Sequence, residues 1–266
     1  MKKERNTMRS EKIKVKVIVS AGDAITAKLV QEAGFDGIWV SGFEVSARLG
    51  LPDNGSLTMT EMLNVCKPIV EAVNIPVWVD VDTGYGNFKR TVDEFEKIGV
   101  YGLCVEDNVE NQKKNSLWGN KAPLMNRVDF ANKINVKKKT IKIMARTEAL
   151  IRGYGEKEAR KRLCYYAMKK SVDYILPHAR KSVDILRVTQ SVVPAAIVPT
   201  KFPCLTNKHF KNLGYSMVIW ANQTERVKIK AIRHALGELK ITGCAESIEK
   251  KLSATLDDMK GLTPSA

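Results

Sequence analysis

The order of apolar and amphipathic segments is the feature that most constrains how this chain can fold. Short apolar segments typical of buried strands alternate eight times with helical segments, and most connections between them are short. Consecutive parallel strands need a crossover, which a helix between them supplies. Eight such units in about 250 residues are what a (β/α)8 barrel requires. The sequence therefore predicts an α/β fold, a TIM-type (β/α)8 barrel.

An open, doubly wound parallel sheet is the alternative architecture. Its dinucleotide-binding form carries a glycine fingerprint after the first strand, and Ser20-Ala21-Gly22-Asp23 does not match that pattern. We expect a flexible basic tail over 1–14, the barrel over 15–242 and a C-terminal helical tail over 243–266. Within this plan the pattern predicts an irregular stretch over 42–55, a helix over 182–191 and one basic amphipathic helix over 245–259.

The chain carries a formal net charge of +15 over 266 residues. Strong basicity is a property of nucleic-acid-binding proteins, but these lysines are scattered over helical faces and lack interleaved aromatic residues. We therefore expect no nucleic-acid partner, and a basic nucleic-acid-binding or scaffold protein is the alternative of a different class. A positive field also attracts small anions with several charges.

No apolar run is long enough to cross a bilayer, and the basic N-terminus has no apolar core of a secretory signal. The five cysteines include no CxxC pair, which favours reduced thiols. Cys66, Cys104 and Cys164 are expected to be packing residues. These features predict a cytoplasmic protein without a membrane partner.

Two carboxylates follow the third predicted strand. Asp80 and Asp82 are two residues apart, a spacing that places side chains on the same face of a strand. Two like charges so close repel each other unless a cation or a proton lies between them. Mg²⁺ prefers oxygen ligands and retains several waters. The stretch predicts a magnesium site, with a strand end carrying two solvated acids as the alternative.

Other polar residues follow the remaining predicted strands, at the end of a barrel where chemistry occurs. One group is acidic and suits Mg²⁺: Asp53, Asp80, Asp82 and Glu106. A second group donates hydrogen bonds and suits an anion with several oxygens: Lys113, Asn115, Arg146 and His178. Glu148, Thr200, Lys201 and Asn222 also lie at strand ends. A metal site beside anion-binding donors favours a phosphorylated or polycarboxylate substrate, although Arg146 could instead neutralise Glu148 or Glu106.

Seven segments resemble the phosphoenolpyruvate mutase branch of the isocitrate lyase superfamily, over about residues 37–222. They are Trp39-Val40-Ser41-Gly42, the DVDTGYGN stretch over 80–87, Glu106-Asp107, the KKNS segment over 113–116, Ala145-Arg146-Thr147-Glu148-Ala149, the IVPTK segment over 197–201 and the MVIWAN segment over 217–222. The DVDTGYGN stretch marks the superfamily, whereas the KxNS, PTK and VIWAN segments are more specific for the mutases.

The resemblance implies an enzyme that interconverts phosphoenolpyruvate and phosphonopyruvate with Mg²⁺, as in phosphonate biosynthesis. Asp80 would be the direct metal ligand, and Asp53, Asp82 and Glu106 would hold its waters. The resemblance assigns the substrate's carboxylate to Ser41, Gly42 and Phe43, its pyruvyl unit to Trp39, its phosphoryl group to Asn115, Arg146 and His178, and a gating loop to Lys113 and Ser116. It also implies a homo-oligomer, a dimer or tetramer, whose subunits exchange the helix after strand eight.

The loop over 106–116 departs from the mutase pattern EDKxFPKxNS. It is one residue longer and lacks the first lysine and the Phe-Pro pair, so that either Lys113 or Lys114 can take the lysine role. A phosphonopyruvate hydrolase or a carboxyphosphoenolpyruvate mutase on the same scaffold is therefore an alternative. The lyases of the superfamily have a catalytic cysteine where Asn115-Ser116 stand, which argues against cleavage of isocitrate or methylisocitrate.

Overall fold

Eight parallel strands form the centre of the protein. The computed structural model describes residues 15–110, 112–113, 115–116, 122–181 and 193–263. The strands are β1 (Lys16–Ser20), β2 (Gly37–Val40), β3 (Val77–Asp80), β4 (Gly102–Glu106), β5 (Lys142–Thr147), β6 (Tyr174–Pro177), β7 (Ala196–Ile197) and β8 (Met217–Trp220). They pair in the order β6-β5-β4-β3-β2-β1-β8-β7, and a parallel bridge from Ile175 to Ala195 joins the two ends. The predicted TIM-type barrel is confirmed.

Helices separate the strands along the chain. They are α1 (Ala24–Glu32), α2 (Gly42–Arg48), α3 (Met59–Ala72), α4 (Phe88–Lys97), α5 (Arg127–Ile134), α6 (Gly155–Ala167), α7 (Asn207–Asn212), α8 (Gln223–Thr242), α9 (Glu246–Lys251) and α10 (Leu256–Leu262). The helix predicted over 182–191 and the tail predicted over 1–14 lie outside the described residues. None of the described helices is both long and apolar enough to span a membrane.

Two apolar layers hold the barrel together. The larger lies between the strands and the surrounding helices, and the smaller fills the inside of the ring around Trp39 and Trp78. Gly102 illustrates how tightly the inner layer packs, because a Cβ atom there would lie 2.5 Å from the Trp78 ring. Side chains therefore close the centre of the ring, and ligands are confined to its ends.

Helix α2 corrects the irregular stretch predicted over 42–55. Ser41 takes the N-cap position, where its side chain accepts a hydrogen bond from the Glu44 amide. A serine cap with an acidic residue three positions later is a helix-start signal. A helix of only seven residues, opened by Gly42, gives little periodicity from which to recognise it.

The C-terminal segment corrects a second expectation, the single helix over 245–259. A break separates α9 from α10, and Thr255 opens the second helix with a capping box to Asp258.

Cys66 and Cys104 are buried as predicted, whereas Cys164 is exposed. A one-residue difference in helical phase suffices to move a side chain from the core face to solvent.

Helix α8 leaves an apolar stripe uncovered. Ile229, Ile232, Leu236 and Leu239 recur at helical spacing and are between 40% and 61% exposed, and no residue of α8 is buried. A surface helix normally buries such a stripe against its own core. Within the described chain this one has no cover.

Candidate active site

A cavity opens at the carboxyl ends of the strands, where a barrel of this type carries its functional groups. Ten of the thirteen predicted site residues line it: Trp39, Ser41, Phe43, Asp53, Asp80, Lys113, Asn115, Ser116, Arg146 and His178. Asp82 lies beyond Lys113 in a neighbouring cavity, and Gly42 packs against Asp82, where an added Cβ atom would lie 3.0 Å from Oδ1. Glu106 is buried and lines neither of these two cavities.

The turn after β3 determines how the two aspartates are placed in the site, because Asp82 lies in this turn and not in the strand. Strand β3 ends at Asp80, and Asp82 adopts a left-handed conformation with φ of 49°. The Asp82 amide donates to Asp80 Oδ1 at 3.3 Å, and Gly84 follows with φ of 92°. A non-glycine residue with positive φ is uncommon and clusters at functional sites. The alternation of a strand was therefore the wrong reason for the proximity of these aspartates.

Arg146 pairs with the larger group of the carboxylates in the site. Its guanidinium reaches three of them: Asp80 Oδ2 at 3.1 Å, Glu106 Oε2 at 2.9 Å and Glu148 Oε1 at 2.6 Å. The contact to Glu106 is an ion pair without hydrogen-bond geometry, and that Oε2 atom accepts no hydrogen bond from the described residues. Arg146 thus neutralises Glu106 and Glu148, as the alternative interpretation required, and lines the cavity as well.

Lys113 pairs with two further carboxylates. Its Nζ lies 2.6 Å from Asp53 Oδ1 and 2.5 Å from Asp82 Oδ1, and all three side chains are less than a tenth exposed. Asn115 Nδ2 donates to the second oxygen of Asp53. Two residues of the 106–116 loop are therefore fixed over the acids by ionic and polar contacts. Of the two candidate lysines Lys113 has these contacts, and Lys114 lies outside the described residues.

Negative charge is in surplus, because five carboxylates share Arg146 and Lys113. Burial raises the pKa of Asp82 to about 6, with the neighbouring Asp80 adding to the shift although Lys113 opposes it. Burial and the neighbouring Glu148 raise the pKa of Glu106 to about 7 although Arg146 opposes them. Such shifts mark groups whose charged forms need another cation.

Glu148 and His178 form a pair beside Arg146. His178 Nδ1 lies 2.6 Å from Glu148 Oε1. Burial alone would raise the pKa of Glu148, but Arg146 and His178 outweigh it and hold that pKa well below its usual 4.5. Because the carboxylate is ionised and accepts, Nδ1 carries the ring proton. Burial, reinforced by Arg146, lowers the pKa of His178, so the free site holds a neutral imidazole with Nε2 available as acceptor.

A second ionic network supports the site from behind. Asp107 is fully buried and accepts from Thr147 Oγ1, the Glu148 amide, Tyr166 OH and Arg162 Nη1. Arg162 Nη1 also donates to the carbonyl of Met125 at 2.8 Å. Asp107 therefore ties the end of β4 to the end of β5, to α6 and to the segment that leads back from the 106–116 loop.

Sequence reasoning did not select several residues that the structure brings to the site. Arg180 lines the cavity, and its Nε donates to the Ser116 carbonyl at 2.5 Å. Arg152 Nε donates to Asn108 Oδ1, and Asn108 Nδ2 donates to Glu106. Arg180 follows His178 by two residues at a strand end, a signal that could have identified it. Arg152 had no comparable signal, because it lies within a turn.

The donor set suits a hard divalent cation. All four predicted ligands present carboxylate oxygens, the ligand type that Mg²⁺ prefers, and the unsatisfied Oε2 atom of Glu106 is buried among them. Within the described parts of the chain, no three histidine, cysteine, aspartate or glutamate side chains converge as a ready-made metal centre. In this conformation the four acids are instead paired with Arg146 and Lys113.

Comparison with known proteins gives a consistent result. The family model described as phosphoenolpyruvate phosphomutase matches residues 8–240. The phosphoenolpyruvate phosphomutase of Tetrahymena pyriformis is 32% identical over 229 residues, covering 81% of this chain and 76% of that protein. The phosphonopyruvate hydrolase of a Variovorax species is 31% identical over 248 residues, covering 88% and 85%. A 2-methylisocitrate lyase of Halalkalibacterium halodurans is 33% identical over 241 residues, covering 86% and 79%.

Solved structures agree with these relatives. The phosphoenolpyruvate phosphomutase of Streptomyces platensis subsp. rosaceus superposes with a TM-score of 0.88 at 32% identity, covering 93% of this chain and 90% of that one. A phosphonopyruvate hydrolase in complex with oxalate and Mg²⁺ superposes with a TM-score of 0.83 at 28% identity, covering 93% and 89%. The match to the family model spans most of the barrel, and the chain therefore belongs to the phosphoenolpyruvate phosphomutase family.

Proposed function

We propose that this protein is an Mg²⁺-dependent phosphonomutase that interconverts phosphoenolpyruvate and phosphonopyruvate. The observation that carries the proposal is the placement of Lys113 and Asn115 over Asp53, with Arg146 and His178 in the same cavity. This arrangement puts cationic and neutral donors around one small space. The donors lie beside the acidic wall, the side of the site formed by Asp53, Asp80, Asp82 and Glu106. Family membership supports it, although relatives in the family include mutases, hydrolases and lyases.

The proposed metal site uses Asp80 as direct ligand, with Asp53, Asp82 and Glu106 holding water molecules. Bound there, Mg²⁺ would stabilise the negative charge of the pyruvate enolate. The related hydrolase structure that contains oxalate and Mg²⁺ supports this choice of cation. Ser41, Gly42 and Phe43 are proposed to bind the substrate carboxylate, and Trp39 to pack against the pyruvyl unit.

The chain's own donors control the phosphoryl group. Phosphoryl transfer passes through a loose, metaphosphate-like transition state, so positioning and electrostatics supply most of the catalysis. Arg146 offers a guanidinium, and a phosphoryl anion nearby raises the pKa of His178 and favours its charged, doubly donating form. Asn115 donates without being a base strong enough to activate water. Lys113 and Ser116, on the same loop, keep water from an in-line approach while the group moves from oxygen to carbon.

The test is phosphorus NMR of the protein incubated with phosphonopyruvate and Mg²⁺. A mutase gives a mixture of phosphonopyruvate and phosphoenolpyruvate, and a hydrolase gives inorganic phosphate and pyruvate. Asp80→Ala should abolish turnover at every Mg²⁺ concentration because it removes the direct ligand, while circular dichroism shows an intact fold. Formation of inorganic phosphate alone by the wild-type protein would show that the hydrolase alternative is right.

The proposal includes a homo-oligomer. The uncovered stripe of α8, together with exposed apolar side chains of the C-terminal segment such as Leu252 and Leu256, is the surface available for a second subunit. Apolar stripes of this length on helices are usually buried in an interface. We place the exchange of α8 between subunits within this proposal.

A further inference from the structure

The wall of the cavity opposite the acids contains polar atoms that nothing in the described protein uses. In a closed ring of eight strands β3 lies opposite β7, and β4 lies opposite β8. The ends of β3 and β4 carry Asp80 and Glu106, whereas the ends of β7 and β8 lead to Thr200 and Asn222. Both of these residues line the cavity. A ligand held on the acidic wall therefore presents its far side to them.

Asn222 occupies a position where its side chain would ordinarily serve the backbone. It is the N-cap residue of α8, and asparagine is among the best N-cap residues. Its side chain nevertheless makes no capping hydrogen bond, and its Oδ1 is buried without a hydrogen-bond partner among the described residues. The residue is 7% exposed. A buried amide oxygen without a partner costs free energy, which indicates a partner that the protein itself does not supply.

Thr200 repeats this situation on the neighbouring strand end. Its Oγ1 is buried and has no hydrogen-bond partner among the residues the structure describes. Val198, Lys201 and Ala221, its neighbours on these two strand ends, also line the cavity. A hydroxyl group in such surroundings can donate one hydrogen bond and accept others. Two strand ends thus each bring to the same cavity a residue with a buried polar atom that has no partner in the described protein.

We propose that Thr200 and Asn222 bind a substrate oxygen on the side that faces away from the acidic wall. This inference rests on the proposed function, in which the substrate is a small anionic 2-oxo acid or its enol phosphate. The Thr200 hydroxyl donates to that oxygen. A half-turn about χ2, which leaves the shape of the Asn222 amide unaltered, exchanges its two end atoms. The donor Nδ2 then occupies the position of the unpartnered Oδ1 and donates to the same ligand oxygen. Both donors are neutral, so they fix the position of the oxygen without competing with Arg146 for its charge.

The wall also determines which substrates fit. A site built to hydrogen-bond an oxygen rejects an analogue that places an alkyl group there, because its buried polar groups are then left without partners. Thr200 and Asn222 therefore favour compact, unbranched acids whose oxygens extend to the far wall. Methyl-branched acids would be bound less well.

Oxalate binding tests the hydrogen bonds from Thr200 and Asn222 without turnover. One oxygen of each oxalate carboxylate remains free for them when the other two oxygens face a cation. Isothermal titration calorimetry should measure the oxalate Kd in the presence of Mg²⁺ for wild type, Thr200→Val, Thr200→Ser and Asn222→Leu. We expect Thr200→Val and Asn222→Leu each to raise the Kd about tenfold, since each removes a hydrogen bond to an anion. Thr200→Ser keeps the hydroxyl and should stay within about twofold of wild type.

Two controls isolate the effect. Asn212→Leu, at an exposed position at the end of α7, should leave oxalate binding unchanged. The Kd for Mg²⁺ alone should be the same in every variant, because the acids lie across the cavity from the substituted residues. In steady-state assays with phosphonopyruvate, Thr200→Val should raise KM by a similar factor, with Thr200→Ser restoring it.

The outcomes separate this inference from the proposed function. Wild-type oxalate affinity in both Thr200→Val and Asn222→Leu would overturn the inference and leave the mutase proposal standing. If wild type and Thr200→Ser bind oxalate tightly but turn over no phosphonopyruvate, the proposed function is wrong. The inference that Thr200 and Asn222 bind a ligand oxygen would then still stand. Failure of wild type to bind oxalate with Mg²⁺ would overturn both. Should Asn222→Leu not fold, Thr200→Val decides alone.

Discussion

Asn115 is the residue on which the choice between transfer and hydrolysis depends. It lies in the cavity with Arg146 and His178 and donates to Asp53. Asn115→Ala should lower the rate on the order of 10²–10³-fold, because one donor to the transition state is lost. It should also admit water, so that residual activity shifts towards inorganic phosphate.

The measurement for Asn115 is the ratio of phosphoenolpyruvate to phosphate formed from phosphonopyruvate. Asn74→Ala, at an exposed position away from the cavity, is the control. A variant with the wild-type rate and product ratio would show that Asn115 is only a loop residue and would remove the most specific support for a mutase.

Glu44 is a buried acid that the proposed mechanism does not use. It is 2% exposed, and neither carboxylate oxygen has a hydrogen-bond partner among the described residues. Burial raises its pKa from 4.5 to about 7, with Ser20, Arg48 and Lys228 opposing the shift and Glu225 adding to it. Below pH 4.5 the carboxyl is neutral in both the folded and the unfolded chain. Between about pH 4.5 and 7 the unfolded chain ionises this carboxyl while the folded chain keeps it protonated, so the folded state loses stability over that range.

Glu44→Gln should therefore stabilise the protein at pH 8 by up to about 3 kcal/mol and have little effect at pH 4.5. Thermal unfolding at several pH values measures this, and the gain over wild type should grow between pH 4.5 and 7 and then level off. Glu71→Gln, at an exposed position in α3, provides the comparison. A gain that is the same at pH 4.5 and pH 8 would contradict the assigned pKa.

At the scale of elements, Asp107 and Arg162 join α6 to the strand ends. Arg162→Leu should destabilise the protein by about 3–5 kcal/mol, because it leaves Asp107 buried with too little compensating charge. Arg160→Leu on the same helix removes only an exposed pair with Glu156 and should cost less than about 1 kcal/mol. Urea unfolding of the two variants gives the comparison. Equal losses would mean that Asp107 is held by its other donors alone.

The elements themselves were largely predictable, whereas the contacts between them were not. Helix α1 extends from Ala24 to Glu32, and the sequence indicates both bounds, because Asp23 caps the helix and apolar spacing marks its length. Helix α2 was missed because seven residues give too little periodicity. Helix α3 likewise begins at a signal in the sequence, since Thr58 caps it and forms a capping box with Glu61.

Site composition was predictable for a related reason, since polar residues after each strand meet at one end of a barrel. The pairing within the site was not, because it depends on ring order and side-chain reach. Arg146 contacts Asp80 across 66 positions of sequence, and Lys113 contacts Asp53 across 60. Periodicity contains no information on which acid takes which cation.

The whole molecule shows one surface that a monomer would leave exposed, the stripe of α8. We expect light scattering to give the mass of a dimer or tetramer of the 29.7-kDa chain. The double variant Ile232→Glu/Leu236→Glu should give the monomer mass, because charges in an apolar interface are not compensated. Lys230→Glu on the same helix is the control and should keep the oligomer. A wild-type mass near 29.7 kDa would contradict the proposed assembly.

The ring is joined least firmly between β6 and β7. Strand β7 has two residues, and its described link to β6 is the bridge from Ile175 to Ala195, with the Ile175 amide donating to the Pro194 carbonyl at 3.0 Å. Proline has no amide hydrogen to return, so the ladder cannot extend through that position. By contrast, β4 and β5 pair along five residues.

Hydrogen exchange should therefore be uneven around the barrel. The amide of Ile175 should exchange with deuterated solvent faster than the strand amides of β4 and β5, in which longer ladders must open together. Mass spectrometry of peptides from the exchanged protein would resolve the difference, and equal protection around the ring would contradict it. Thr200 lies just beyond β7, so each opening of this joint would also displace the far wall of the cavity, and a ligand bound there would slow the exchange of Ile175.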